Sequence, residues 1–426
     1  MTHASVHNEI LDTLAASAMP VNSLQQQALQ EFIRLGLPGP KNEEYKHTPI
    51  SRVLEKSINP SLPFQSEGKV PDEKLWKLNS IPAYQVVFLN GKFVAKQSQL
   101  PQGIDIIPMH TARDLQVVSD HLGKYADFKS DSFTAWNTAA WTDGIFINIP
   151  EDYTVDTPII LYYLHDATAG QVKSITRNLI IAGKNSKVTI VEKWFTQGSD
   201  AVISNTVSEI LLREKTSVNH VVVQTDDSNH IQYLHNQFWQ EAESLLNSYV
   251  ITLSGMFIRN NTRVALDGAC ESHLYGLYLL KDNAFTDNHT VVDHRKPNAF
   301  SNELYKGVLD GKSNGVFNGK IYVRQGAQKT NAFQSNRNLL LSDQAVAHTK
   351  PQLEIWADDV KCSHGCTVGQ LDEDALFYLR ARGIDKETAK AMLLYAFAAE
   401  VIETLPHDGI KNFLDTLIRD RLHNSF

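Results

Sequence analysis

A mainly β core held between helical ends is the fold class that this 426-residue sequence predicts. Three observations predict it. Short apolar runs such as "PIILYYL", "KVTIVEKWF" and "GKIYVRQG" recur between about residues 140 and 360, separated by Gly, Asn, Asp and Ser turns at the spacing of an all-β domain. The stretches before and after them carry apolar residues at three-and-four spacing, the period of an amphipathic helix. Where the period changes, "YQVVFLNGKFVAK" sets Asn90-Gly91 between two apolar runs, a strong hairpin signal. No exact repeat is visible, so periodicity alone leaves sandwich, barrel and β-solenoid open.

In chain order, residues 1–83 read as a helical region with a connector, 84–370 as the β domain with its regular part from about 140, and 371–426 as a C-terminal helical domain. Near the start, Ser23 is placed to cap a helix with Gln26 at its third position. Ala28, Leu29, Phe32 and Ile33 form one face, and Gly36 and Pro38 stop it. Three prolines among polar residues from Asn59 to Pro71 make the connector. Within the β domain Phe317, Gly319, Ile321 and Val323 share one face, and Lys320, Tyr322 and Arg324 the other. Asp372 then caps "EDALFYLRAR", with Gly383 after it. Asp385 opens a second helix with Ala389, Met392, Leu393, Ala396 and Phe397 on one stripe. After Pro406, Ile410, Phe413, Leu414, Leu417, Ile418, Arg421 and Leu422 recur at helical spacing, a stripe expected to pack internally and not as a partner-facing groove.

The 48 acidic and 40 basic residues give a net charge of −8, with no Lys/Arg block. That balance argues against nucleic acid or an anionic membrane as the main partner and favours small molecules or proteins. No run approaches the roughly 18 apolar residues of a membrane span, and "MTHASVHNEI" lacks the basic-then-apolar pattern of a secretory signal, so a cytoplasmic protein is expected. Cys270, Cys362 and Cys366 are too few and too unevenly placed for a disulfide framework. Reduced thiols follow, free to ligate metal or carry sulfur.

Four stretches carry candidate chemistry. "KGVLDGKSNG" (306–315) has three residues between Gly307 and Gly311 where a phosphate-binding loop needs four, and it reads as a strand-connecting turn. In "DNHTVVDH" (287–294), His289 and His294 face opposite ways on a strand, and His289 and Asp293 sit about 13 Å apart along it, which argues against one shared ion. Cys270 in "DGACESHLYG" reads as a small buried hydrophobe. "DDVKCSHGCTVG" (358–369) is different, with two cysteines and a histidine in five positions. If extended, Cys362, His364 and Cys366 share one face at steps of about 6.6 Å, unless Gly365 bends the chain and gathers them. The paired spacing of zinc sites and the order of haem attachment are both absent. The residues themselves leave a structural turn and a functional ligand set equally open.

"KPQLEIWADDVKCSHGCTVGQLDEDALFYLRARGI" (350–384) closely resembles the signature of the SufB/SufD family, scaffold subunits of the SUF iron–sulfur cluster assembly machine. The likeness extends through "SNELYKGVLDGKSNGVFNGKIYVRQGAQKTNAFQSNRNLLLSD" (301–343) and includes "KNEEYKHTPI" (41–50). It is strong over about the last 130 residues and thin elsewhere. The chain's length and its lack of additional cysteines resemble the SufD branch more than the SufB branch. The resemblance implies a right-handed parallel β-helix between helical regions, acting as a non-enzymatic scaffold. It also implies a heterodimer with SufB through the β domain, the ATPase SufC docked on the C-terminal helical domain, and room for a homodimer when the chain is isolated. Cys362 and His364 fall on the family's interface positions, where iron or a transient iron–sulfur cluster is shared with the partner subunit. Cys366 departs from the family pattern, which has a small apolar residue there, so packing is its expected role. The resemblance also implies reduced flavin as a possible companion of the assembled complex, with no residue in this sequence that places it. Two other readings belong to other classes: an adaptor for SufC with no metal contact, and a polysaccharide-acting β-helix enzyme, for which the adjacent Asp358 and Asp359 point apart on a strand.

Overall fold

A computed structural model of the chain describes residues 3–226 and 228–425. From Ile145–Ile149 to Val360–Gly369, successive strands alternate between two sheets, and all but the end strands pair in parallel with the strands one turn before and one turn after them. The result is a parallel β-solenoid of about eight turns, walled by a ten-stranded and a nine-stranded sheet. Its turns are uneven. Ile231 pairs with Phe257, a step of 26 residues, whereas Asn314 pairs with Val346, a step of 32. The drift is absorbed at the corners, where Asn185 (φ 57°), Lys215 (61°), Asp282 (58°) and Gly311 (63°) adopt the left-handed conformation. Gly311 therefore marks the turn between Phe300–Leu309 and Asn314–Val323, as its spacing predicted.

Alternation along each strand sorts the apolar residues into three layers. Inward positions such as Val86, Ile147, Leu161, Ile190, Ile210, Phe317 and Ile321 form the solenoid's interior. Outward positions of the nine-stranded sheet, among them Ile203, Ile231 and Phe257, pack under N-terminal Ile10, Leu14, Phe32 and Leu54 and under Trp136. Outward positions of the ten-stranded sheet, among them Val221, Tyr249 and Leu277, pack under C-terminal Leu394, Ile402 and Leu414. Through the earlier turns each sheet is thus buried on both faces, which is why strands such as Ile159–Ala167 are buried along their whole length and read as continuous apolar runs.

The helical ends differ from the sequence reading in register. Helix Ser23–Leu35 is capped by the Asn22 side chain, which accepts from the Gln25 amide 2.9 Å away, and not by Ser23. Ala28 and Phe32 are buried as expected, but Ile33 turns outward and is 55% exposed. In Lys386–Ile402 the buried stripe is Ala389, Leu394, Ala398, Val401 and Ile402, while Met392 and Ala396 of the expected stripe are exposed. The stripe after Pro406 does pack internally: Ile410, Leu414, Ile418 and Leu422 are all buried against the ten-stranded sheet's helical cover. Among the described residues no helix is long and apolar enough to cross a membrane.

The two ends of the solenoid are built differently. At the first turns both sheets finish in short antiparallel strands, Lys92–Phe93 of the Asn90-Gly91 hairpin and Asp105–Pro108. At the other end Val346–Ile355 and Val360–Gly369 are bare edges of their sheets, with no strand beyond them among the described residues.

Candidate functional site

The open edge carries the "KCSHGC" residues. The strand Val360–Gly369 runs straight through Gly365, pairing Cys362 with Ala332, His364 with Gln334 and Cys366 with Asn336. One turn earlier those partners pair with Ser301, Glu303 and Tyr305. Three columns of inward side chains result, and each is fully buried until its last member. Cys362 is half-buried against the interior cluster, while His364 and Cys366 are exposed. Burial pushes the Cys362 thiol up, opposed by a backbone hydrogen bond with Ala332. Along one strand these side chains stand about 6.6 Å apart per step, too far for one ion to take all three.

Behind His364 the column is polar. Gln334 Nε2 donates to Glu303 Oε1 at 3.1 Å, and Thr290 Oγ1 donates to the other oxygen at 2.5 Å. Burial lifts the Glu303 carboxyl to about 7. Beside it, Asn336 Nδ2 donates to the Tyr278 hydroxyl at 3.1 Å and to the Tyr305 carbonyl at 3.2 Å. Apolar residues at or beside the edges are left uncovered: Val346 is 40%, Ile355 39%, Trp356 49% and Val368 46% exposed.

The other motifs find structural places. "KNEEYKHTPI" is a strap across the nine-stranded sheet. Tyr45 donates to Asp131 at 2.6 Å, and Glu44 pairs with Lys320 and, at 3.4 Å, with His289. Glu43 pairs with Lys350, and His47 stacks on His348 with centroids 4.0 Å apart. Burial would raise the Asp131 carboxyl, but hydrogen bonds from Tyr233 and Tyr45, with Arg259 nearby, hold it at about 2. His289 faces this strap, His294 faces inward to Ser301 at 2.9 Å, and Asp293 pairs with Arg324 at 2.7 Å. The three residues thus reach three separate partners, with His294 on the face opposite His289. Cys270 is buried, its thiol pushed up to about 12 by desolvation. The one convergent group of metal-ligating side chains among the described residues is His165, Asp226 and His230, whose separation in sequence gave no local signal.

Fold and site together define a β-solenoid with one finished and one unfinished end, the latter bearing thiols and an imidazole. The sequence matches the family model of the SUF system FeS cluster assembly SufBD core domain over residues 164–397, and that of the SufBD protein N-terminal region over 4–161. The chain belongs to the SufBD family. It is 28% identical to iron-sulfur cluster assembly protein SufD of Escherichia coli (strain K12), with 93% of this chain and 92% of that one covered. It is 31% identical to an iron-sulfur cluster assembly SufBD family protein of Synechocystis, with 87% and 84% covered. It is 28% identical to SufD of Bacillus subtilis (strain 168), with 75% and 71% covered.

Proposed function

We propose that this chain is a SufD-type scaffold subunit of the SUF iron–sulfur cluster assembly system, working in the cytoplasm without catalysing a reaction of its own. A SufB subunit continues its solenoid at the open end, and Cys362 and His364 are the ligands it brings to iron or a nascent cluster at that junction. The observation that carries this reading is the placement of both residues on the inward face of the last strand, where their columns stop unfinished. A cluster normally takes four ligands, and this row offers three at most, so a second chain must complete the set. Thiolate and imidazole suit iron. The half-buried Cys362 thiol holds its proton in the free subunit and releases it when a metal arrives. Mixed ligation across a junction also allows release, because moving one subunit removes half the ligands. SufC docks on the C-terminal helices, where Phe377, Tyr378 and Met392 are 73%, 58% and 47% exposed.

Anaerobic reconstitution with iron and sulfide tests the reading. The isolated chain is expected to retain almost no acid-labile sulfide, and the complex with SufB and SufC to retain a stable cluster. Cys362→Ser and His364→Ala should each lower the yield several-fold without unfolding the chain, and Cys366→Ala should matter less. A chelator-resistant cluster on the isolated chain, or equal losses from all three substitutions, would overturn it. Unchanged iron and sulfide after the first two would leave an adaptor without metal contact.

A further inference from the structure

His165, Asp226 and His230 meet at a corner of the solenoid, far along the winding from the open end. His165 lies near the end of Ile159–Ala167 in the ten-stranded sheet, and His230 opens His230–Gln240 in the nine-stranded sheet. Asp226 sits in the turn leading to His230. One ligand atom from each lies within 4.8 Å of the others, and the two imidazole rings meet edge to face with centroids 4.9 Å apart. The histidines are 0% and 2% exposed, and the Asp226 side chain 8%.

The hydrogen bonds leave a donor set for a cation. His165 Nδ1 lies 3.2 Å from Thr196 Oγ1, and Nε2 is buried with no hydrogen-bond partner; in the tautomer that donates to Thr196, Nε2 presents a lone pair. An orphaned ring nitrogen in a dry corner costs free energy unless something fills the place of its partner. His230 Nε2 lies 2.6 Å from Ser204 Oγ and His230 Nδ1 lies 3.2 Å from Asp226 Oδ2. Without an ion, His230 Nδ1 faces the Asp226 carboxylate and Nε2 faces the Ser204 hydroxyl. With an ion in place, the His230 proton sits on Nε2, which donates to Ser204, and Nδ1 ligates. Second-neighbour bonds of this kind fix the ring orientation of metal-binding histidines. Burial keeps His165 neutral, its pKa down at about 3. Burial would raise the Asp226 carboxyl, but hydrogen bonds from His230 and Ser228 hold it below the usual range.

We propose that His165, Asp226 and His230 bind one divalent first-row transition-metal ion. Two imidazoles and one carboxylate are the ligand set of such ions and not of Mg²⁺ or Ca²⁺, which take oxygen. A tetrahedral ion about 2.1 Å from its donors holds them about 3.4 Å apart. The three ligand atoms lie within 4.8 Å of one another, so the contraction needed is at most about 1.4 Å. The ion ties the two sheets together at this corner. The site is independent of Cys362 and His364, so it stands or falls separately from the proposed function.

Co²⁺ titration of the chelator-stripped full chain tests it, with ligand-field bands and melting temperature as readouts. One equivalent should bind, showing ligand-field bands without thiolate charge-transfer absorption, and the melting temperature should rise. Zn²⁺ should displace the colour. His165→Ala and Asp226→Asn should weaken binding at least ten-fold and remove the thermal shift. The combined Cys362→Ser, His364→Ala and Cys366→Ala variant should retain both. Asp226→Asn is near-isosteric and lies on a turn, so it keeps the test valid if His165→Ala fails to fold. Absence of stoichiometric binding, bands that survive Asp226→Asn, or bands that vanish with the open-end variant would overturn the proposal.

Discussion

Glu303 owes its charge state to the turns stacked above and below it. Its ordinary carboxyl value is 4.5, and burial inside the solenoid raises this to about 7 even though Thr290 and Gln334 both donate to it. Below about pH 4.5 the folded and unfolded chains both hold the proton. Between 4.5 and 7 only the folded chain holds it, so stability falls as pH rises, and above 7 the loss levels off at roughly 3 kcal/mol. Glu303→Gln removes the titration, and the Thr290 hydroxyl can rotate to accept from the new amide. Denaturant unfolding at pH 5 and pH 8 should show wild type losing more stability than the variant between the two conditions. Equal losses would mean that the fold tolerates the ionised carboxylate. Residue patterns that depend on the two-residue period of one strand, such as inward Phe317, Ile321 and Val323, were legible in the sequence. The column Glu303, Gln334 and His364 was not, because turns of unequal length bring its members together, and the corner of His165, Asp226 and His230 was hidden for the same reason.

At the scale of elements, caps and stripes were readable where one signal dominated and misread where several competed. Asp372 and Asp385 each cap the helix assigned to them, accepting from amides 3.0 Å away. Asn22 and Ser23 are adjacent cap formers, and only the backbone decides between them. Helix Lys386–Ile402 is apolar over most of its surface, so hydrophobicity could not choose its buried face. Close approach to the sheet chose the side with Ala389 and Ala398. The third C-terminal helix has a single stripe, and it was read correctly. This gives a paired prediction. Leu414, fully buried between helix and sheet, should cost about 2 to 5 kcal/mol when changed to Ala, with or without SufC present. Phe377→Ala at an exposed position should change stability by less than about 0.5 kcal/mol while weakening SufC capture. Chemical denaturation and a pull-down with purified SufC check both, and undiminished capture by the Phe377 variant would move the docking surface elsewhere.

For the whole molecule, the sequence showed many strands but not which strand pairs with which. Pairing across a full turn involves partners from 26 residues apart at Ile231 and Phe257 to 33 at Phe146 and Leu179, too variable to appear as a repeat. The choice of a solenoid over a sandwich or barrel therefore came from family resemblance and not from periodicity, and the two unequal ends became visible only with the fold. A bare parallel edge displays unpaired backbone donors and acceptors and invites another strand. Here both sheets end bare on the same side, flanked by exposed Val346, Ile355, Trp356 and Val368. Such an end should pair with SufB or, when SufB is missing, with a second copy of the chain. Lysine at an edge is a common defence against strand addition, because burying its charge in a new junction is costly. The double variant Val346→Lys and Val368→Lys places one on each edge, at positions 40% and 46% exposed, so the subunit itself should melt within a degree or two of wild type. Sedimentation equilibrium should show at least ten-fold weaker self-association, and co-purification a matching loss of SufB, with SufC capture unchanged. Full association of the double variant with SufB would mean that the junction is built on another face and that Cys362 and His364 look out on solvent.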